Sequence, residues 1–165
     1  MTDGDALARV TATRDNALGA EARDELLAGR IDGRLGTHRT DGWCHVTPVW
    51  FLWDGALFRF TLGASRVHLR NLKADDRATF SAGVDDERDG SRGGTTYITC
   101  FGRATVLAAS DDAREVRDMT YAILGRYWGP DLDERVVFAE PRAIVTLEPV
   151  RWLTWHTDPT APHER

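Results

Sequence analysis

Between Arg34 and Leu62 the chain passes through three extended apolar-rich runs, Arg34–Arg39, Trp43–Trp53 and Ala56–Leu62. Asp41-Gly42 and Asp54-Gly55 interrupt them. Asp-Gly between such runs signals a tight hairpin, because both residues tolerate positive φ. The pattern therefore predicts an antiparallel meander. In the third run Ala56, Phe58, Phe60 and Leu62 share one face, and Leu57, Arg59 and Thr61 share the other. The middle run carries Val46, Val49, Trp50, Phe51, Leu52 and Trp53 and is apolar on both faces, which predicts cover on both sides.

Further along, the period changes. Glu21–Ala28 reads as a short helix stopped by Gly29, and Arg66–Ala74 as another that follows, and is capped by, Ser65. Arg77–Val84 predicts a fourth strand, Asp85–Gly94 a charged, glycine-rich mobile loop, and Thr95–Ala108 a fifth strand with a bulge or corner at Gly102. Ser110-Asp111-Asp112 caps an amphipathic helix on which Val116, Met119, Thr120, Ile123, Leu124 and Tyr127 fall at helical spacing, and Gly129-Pro130 ends it. Ala143–Trp155 predicts the last strand, bent at Pro149. Six mostly antiparallel strands with two or three short helices make a mainly β (α+β) domain of the split-barrel type. Its expected span is 18–157, with a flexible arm over 1–17 and a tail over 158–165.

Bulk properties narrow the function classes. The formal net charge of −5 argues against nucleic acid as a partner, since such proteins gather basic charge on one face. The first ten residues hold acids and no apolar run, and nothing approaches the ~20 apolar residues of a membrane helix, which gives an expectation of a cytoplasmic protein with no membrane contact. Cys44 and Cys100 stand alone and read as reduced thiols. Six tryptophans is a high number for 165 residues and favours interfaces and ligand pockets as well as core.

Most candidate chemistry lies in Thr61–Leu72, T-L-G-A-S-R-V-H-L-R-N-L. A strand end, a glycine turn, a serine hydroxyl at a helix start and two arginines four apart form a plausible phosphate site. No zinc spacing surrounds Trp43-Cys44-His45, and neither a G-x-S-x-G elbow nor a Rossmann or P-loop glycine pattern occurs, so no metal and no catalytic residue is assigned.

Read together, His45-Val46-Thr47-Pro48-Val49-Trp50-Phe51, Asp54-Gly55, Phe60-Thr61, Ser65-Arg66, Arg70-Asn71-Leu72, Phe101-Gly102-Arg103-Ala104 and the final Arg142–Trp152 strand resemble the pyridoxamine 5′-phosphate oxidase-like superfamily, nearest its flavin/deazaflavin oxidoreductase branch. The resemblance spans about residues 25–156. It implies a six-stranded split barrel and a homodimer with two cofactor sites between subunits. It also implies hydride transfer between FMN or coenzyme F-420 and a small-molecule substrate. A composition rich in Ala, Arg, Asp and Gly and poor in Lys hints at the deazaflavin without deciding it. On this resemblance the cofactor-binding residues are Pro48, Val49 and Trp50 beside the ring system, Thr61 at the strand end, and Ser65, Arg66, His68, Arg70 and Asn71 at the phosphate. His68 stands where the family often has Lys, and an unperturbed imidazole there gains its charge below about 6.5. The alternative from another class is a non-enzymatic flavin or haem carrier on the same fold. A barrel that has lost its cofactor and serves as an interaction module is a third.

Overall fold

The computed structural model describes residues 17–88 and 91–157, with side chains 86–94 excluded. Apart from Ala17, the expected arm and tail therefore lie outside the described residues. Seven strands, not six, form one antiparallel sheet: β1 (Gly33–His38), β2 (Cys44–Val49), β3 (Phe51–Trp53), β4 (Phe58–Gly63), β5 (Arg77–Arg88), β6 (Ser91–Ala108) and β7 (Arg142–Thr157). The extra strand arises because the run Trp43–Trp53 is divided at Trp50. Its first part pairs with β1 and its second with β4.

The division changes the topology. The order across the sheet is β2-β1-β5-β6-β7-β4-β3, so the two edge strands are neighbours in sequence, joined through Trp50 alone. A sheet whose opposite edges are one residue apart must curl back on itself, and the result is a half-barrel. The expected meander is thus two separate hairpins at opposite edges. Gly42 (φ +88°) and Gly55 (φ +92°) supply the left-handed turn residues the Asp-Gly signals called for. At the second turn the Asp54 carboxylate accepts from the amides of Ala56 (3.0 Å) and Leu57 (2.7 Å), which delays β4 to Phe58.

Inside the curl Phe51, Phe58, Phe60 and Phe80 are fully buried with ring centroids 4.6–6.2 Å apart, and Leu27, Leu35, Ile98, Val145 and Leu147 fill in around them. Helix α1 (Ala20–Ala28) contributes Leu27 to that core. Helix α2 (Val67–Ala74) follows β4 and buries Leu69 and Leu72. Helix α3 (Ala113–Trp128), capped by the Asp112 carboxylate, packs Val116 and Ile123 against Ile144 of β7 in a second, smaller cluster. A short helix α4 (Glu134–Val137), capped by Asp133, lies between α3 and β7.

Two further expectations change. Asp85–Gly94 is not a loop: β5 and β6 continue through it as a hairpin, with Glu87 opposite Arg92 and Arg88 opposite Ser91 beyond an irregularity at Asp85/Glu87. Ladder hydrogen bonds carry a strand through a charged sequence once both partners are long enough, and charge alone does not end it. Asp89 and Gly90 lie outside the described residues. At the other end of β6 the register slips between Phe101 and Gly102, leaving Val150 unpaired on β7 next to Pro149. A Cβ on Gly102 would strike the Glu148 backbone carbonyl, so the bend there needs glycine. No helix among the described residues is long and apolar enough to cross a membrane.

Candidate functional site

An open cleft of about 620 Å³ lies where the sheet edges approach each other. β2 forms one wall with His45, Thr47, Pro48 and Val49, and Trp50 stands at the junction. The end of β4 (Thr61, Leu62, Gly63) and the start of α2 (Arg66, Val67, His68) form the other, while Leu124 and Trp128 of α3 close one side. Because β2 is an edge strand, its outer backbone groups are free of any ladder partner along this wall.

Six of the nine sequence-predicted residues line the cleft: Pro48, Val49, Trp50, Thr61, Arg66 and His68. Trp50 stacks on Tyr127 (5.1 Å between centroids, 12° between planes), meets Trp128 edge-on at 4.7 Å, and donates its Nε1–H to Asp32 at 3.1 Å. Thr61 shares a hydroxyl–hydroxyl hydrogen bond of 2.9 Å with the buried Thr120 of α3, which ties the helix to the strand end.

The other three lie elsewhere or do something else. Asn71 is buried and donates to Thr37 Oγ1 (3.0 Å), fixing α2 onto β1 from within the core. Arg70 is exposed and outside the cleft lining. The expectation that Arg66 and Arg70 share a helical face fails because Arg66 is the N-cap, with extended dihedrals (φ −66°, ψ 141°), and the helix begins only at Val67. For the same reason Ser65 does not cap α2; its hydroxyl donates to Glu140 Oε2 at 2.8 Å.

His68 departs furthest from its expected role. It is 3% exposed, with Nε2 3.0 Å from Thr47 Oγ1, His45 edge-on at 4.6 Å, and Nδ1 without a hydrogen-bond partner. Burial first, then the neighbouring His45 and Arg66, pushes its imidazole down to about 4. At neutral pH it is therefore uncharged and cannot act as the cation that a Lys in its place would supply.

Two residues that sequence reasoning missed stand at this end: Arg142 lines the cleft, and Glu140 lies beside it against the Gly63 turn. Arg142, the first residue of β7, pairs across the ladder with Gly63 and donates through Nε to the Val137 carbonyl at 2.8 Å. Burial lowers its pKa from the ordinary arginine value, with Arg66 adding to the effect and Glu140 opposing it. Glu140 lies half-buried against the turn, and a Cβ on Gly63 would collide with its carboxylate. Only the β4–β7 register brings Arg142 and Glu140 to the Gly63 turn, some 77 to 79 positions back along the chain. Nothing in their local sequence signals it.

Gly63 and two guanidinium groups at one end of the cleft, with the Ser65 hydroxyl beside them and the Trp50 wall running away from them, suit an elongated ligand with an anionic terminus. Among the described residues no group of three or more His, Cys, Asp or Glu is placed to hold a metal ion.

In sequence, residues 20–156 match the family model described as pyridoxamine 5′-phosphate oxidase. No curated protein matches the chain. Among solved structures, a conserved hypothetical protein from Mycobacterium tuberculosis superimposes with a TM-score of 0.72 at 22% identity, covering 94% of this chain and 96% of its own. An F420 reductase aligns at a TM-score of 0.59 and 26% identity over 79% of this chain and 94% of its own. The haem storage protein HutZ from Vibrio cholerae aligns at 0.61 and 14% identity, covering 82% and 93%.

Proposed function

The chain belongs to the pyridoxamine 5′-phosphate oxidase family, and from that premise we propose that it is an oxidoreductase holding a phosphorylated flavin or deazaflavin, FMN or coenzyme F-420, in the cleft beside β2. The observation that carries this reading is the Gly63 hollow. It already receives an anionic oxygen group, the Glu140 carboxylate, which accepts from the Ser65 hydroxyl and is lowered in pKa by that bond first and then by the charges of Arg66 and Arg142. A phosphate asks for the same donors: a hydroxyl, a backbone with no Cβ in the way, and two guanidinium groups.

Ser65, Arg66 and Arg142 would hold the phosphate, and Pro48, Val49 and Trp50 would face the ring system along the unladdered edge of β2. When bound, such a cofactor supplies hydride transfer to a small organic acceptor. The chain's own residues bind and orient. Trp50, fixed by Tyr127, Trp128 and Asp32, keeps the wall of the cleft in place, and Leu124 and Trp128 exclude water from its α3 side. The F420 reductase among the structural neighbours supports this choice of cofactor class.

A homodimer belongs to the same proposal. Val46 is 57% exposed, and with Cys44 and Pro48 it makes one side of β2 a largely apolar strip that no other described residue covers, with Trp43, 75% exposed, just before the strand. A second copy would cover that strip and complete the open side of the cleft.

A carrier of flavin or haem is the second reading. It is favoured by the lack of an ionisable group free for proton transfer at His68, and by the structural likeness to the haem storage protein. One experiment separates the two: sedimentation with FMN, coenzyme F-420 or haem followed by its own absorbance, then turnover of the bound species against quinone and tetrapyrrole acceptors. The proposal expects FMN or F-420 to travel with a species of twice 18.4 kDa and to be reduced or reoxidised. Binding without turnover across the panel establishes the carrier, and no binding of either flavin overturns both flavin readings.

A further inference from the structure

One donor that suits a phosphate, the Ser65 hydroxyl, is already in use. The Ser65 hydroxyl donates to Glu140, the Glu140 carboxylate fills the space a Gly63 side chain would need, and Arg66 and Arg142 flank it. A carboxylate and a phosphate cannot share that space, and their like charges oppose any attempt to do so.

The backbone on either side of Glu140 is fixed independently of its side chain. The Ala64 amide donates to the Pro141 carbonyl at 2.8 Å, and Arg142 Nε donates to the Val137 carbonyl at 2.8 Å. The carboxylate can therefore leave by side-chain rotation while the segment that carries it stays pinned to the turn.

We propose that Glu140 is a resident counter-anion that a ligand must displace from the Gly63 hollow. It would thereby select for a doubly charged phosphate monoester, such as that of FMN, over single carboxylates and over a singly charged phosphodiester such as that of coenzyme F-420. A phosphate dianion gains from Ser65, Arg66 and Arg142 together what the carboxylate loses, whereas a monocarboxylate merely exchanges like for like. The Ser65 hydroxyl first, then Arg66 and Arg142, hold the Glu140 carboxyl below the usual glutamate range, so at neutral pH it is removed by displacement and not by protonation. The inference rests on the reading that this cleft takes a phosphorylated ligand, and its test is built to fail separately.

The test compares the wild-type chain with Glu140→Gln and Glu140→Ala. Inorganic phosphate and acetate are each titrated while the Ser65 amide resonance is followed, and FMN and riboflavin are then titrated by fluorescence. Thermal unfolding checks that both variants fold. The expected result is phosphate and FMN binding about tenfold tighter in both variants, the change that about 1.4 kcal/mol produces. Riboflavin, which lacks the phosphate, stays unchanged, and the preference for phosphate over acetate narrows. Phosphate affinity that is unchanged or weaker in both variants overturns the proposal. Tighter phosphate with no binding of FMN or coenzyme F-420 to any version leaves the displacement standing and removes the flavin reading.

Discussion

Strand β4 has two faces that obey different rules. Phe58, Phe60 and Leu62 point into a dry aromatic core, where each ring is held by contact with several others. On the other face Thr61 reaches a hydroxyl on α3, and the strand ends at Gly63 beneath a carboxylate supplied from β7's approach. The first face needs volume and an apolar surface, which many residues from many elements provide in common. The second needs particular partners at particular positions, and each comes from a different, distant element. Stability is thus spread widely on one face, and the recognition proposed for the cleft would rest on a few groups on the other.

The comparison breaks first at the core. Phe58→Ala removes a fully buried ring among Phe51, Phe60, Phe80 and Trp152 and should cost about 3–5 kcal/mol, read from denaturant midpoints. A loss of less than about 1 kcal/mol would mean that the core repacks around the missing ring.

A smaller effect is expected from pH. An imidazole in the unfolded chain takes its proton near 6.5, whereas His68 in the fold does so only near 4. Between those values the unfolded chain binds a proton that the folded chain refuses, so stability should fall as pH drops through this window, by on the order of 2–3 kcal/mol in all. About one pH unit above 6.5 this group's contribution to the slope has faded. Denaturant midpoints from pH 7 to 4 for wild type and His68→Gln measure it, and equal slopes would show that the imidazole is not the group responsible.

The smallest change sharpens the contrast within the arginines. Arg142→Ala should weaken FMN binding roughly tenfold to a hundredfold, the worth of one charge-assisted hydrogen bond. Arg70→Ala, exposed and away from the cleft, should leave the affinity as it is. Fluorescence titration decides, and the reverse ranking would return the anion site to the face of α2.

The same division governs how much of the molecule is legible in its sequence. The hairpins at Asp41-Gly42 and Asp54-Gly55, the alternation of Phe58, Phe60 and Leu62, the irregularity at Gly102 and the helix from Ala113 are all local patterns, and each is where the pattern puts it. The break at Trp50 is not, because Val49, Trp50 and Phe51 form an unbroken apolar run with no turn residue to mark it. Nor is the continuation of β5 and β6: the charges of Asp85–Arg88 speak for a loop, although Asp89-Gly90 repeats the dipeptide that marks the other two hairpins. At the cleft, β2 and the β4 end are readable as neighbours of a turn and a glycine. Arg142 and Glu140 are not, because only a long-range strand register places them, and Arg66 is misread by treating a cap as the first helical residue.

Because β7 carries Arg142 and follows Glu140, the order in which the chain is made has a bearing on the cleft. Both edge hairpins, β1–β2 and β3–β4, close over a few residues and can pair as soon as they emerge from the ribosome. Strand β4 then waits with its central edge bare until residues 142–147 arrive to pair with it. A nascent chain that stops short of residue 140 holds Ser65 and Arg66 but neither Arg142 nor the counter-anion. On the proposed reading the anion site is complete only once residues 140–142 have been made, and a ligand cannot serve as a template for the steps before that.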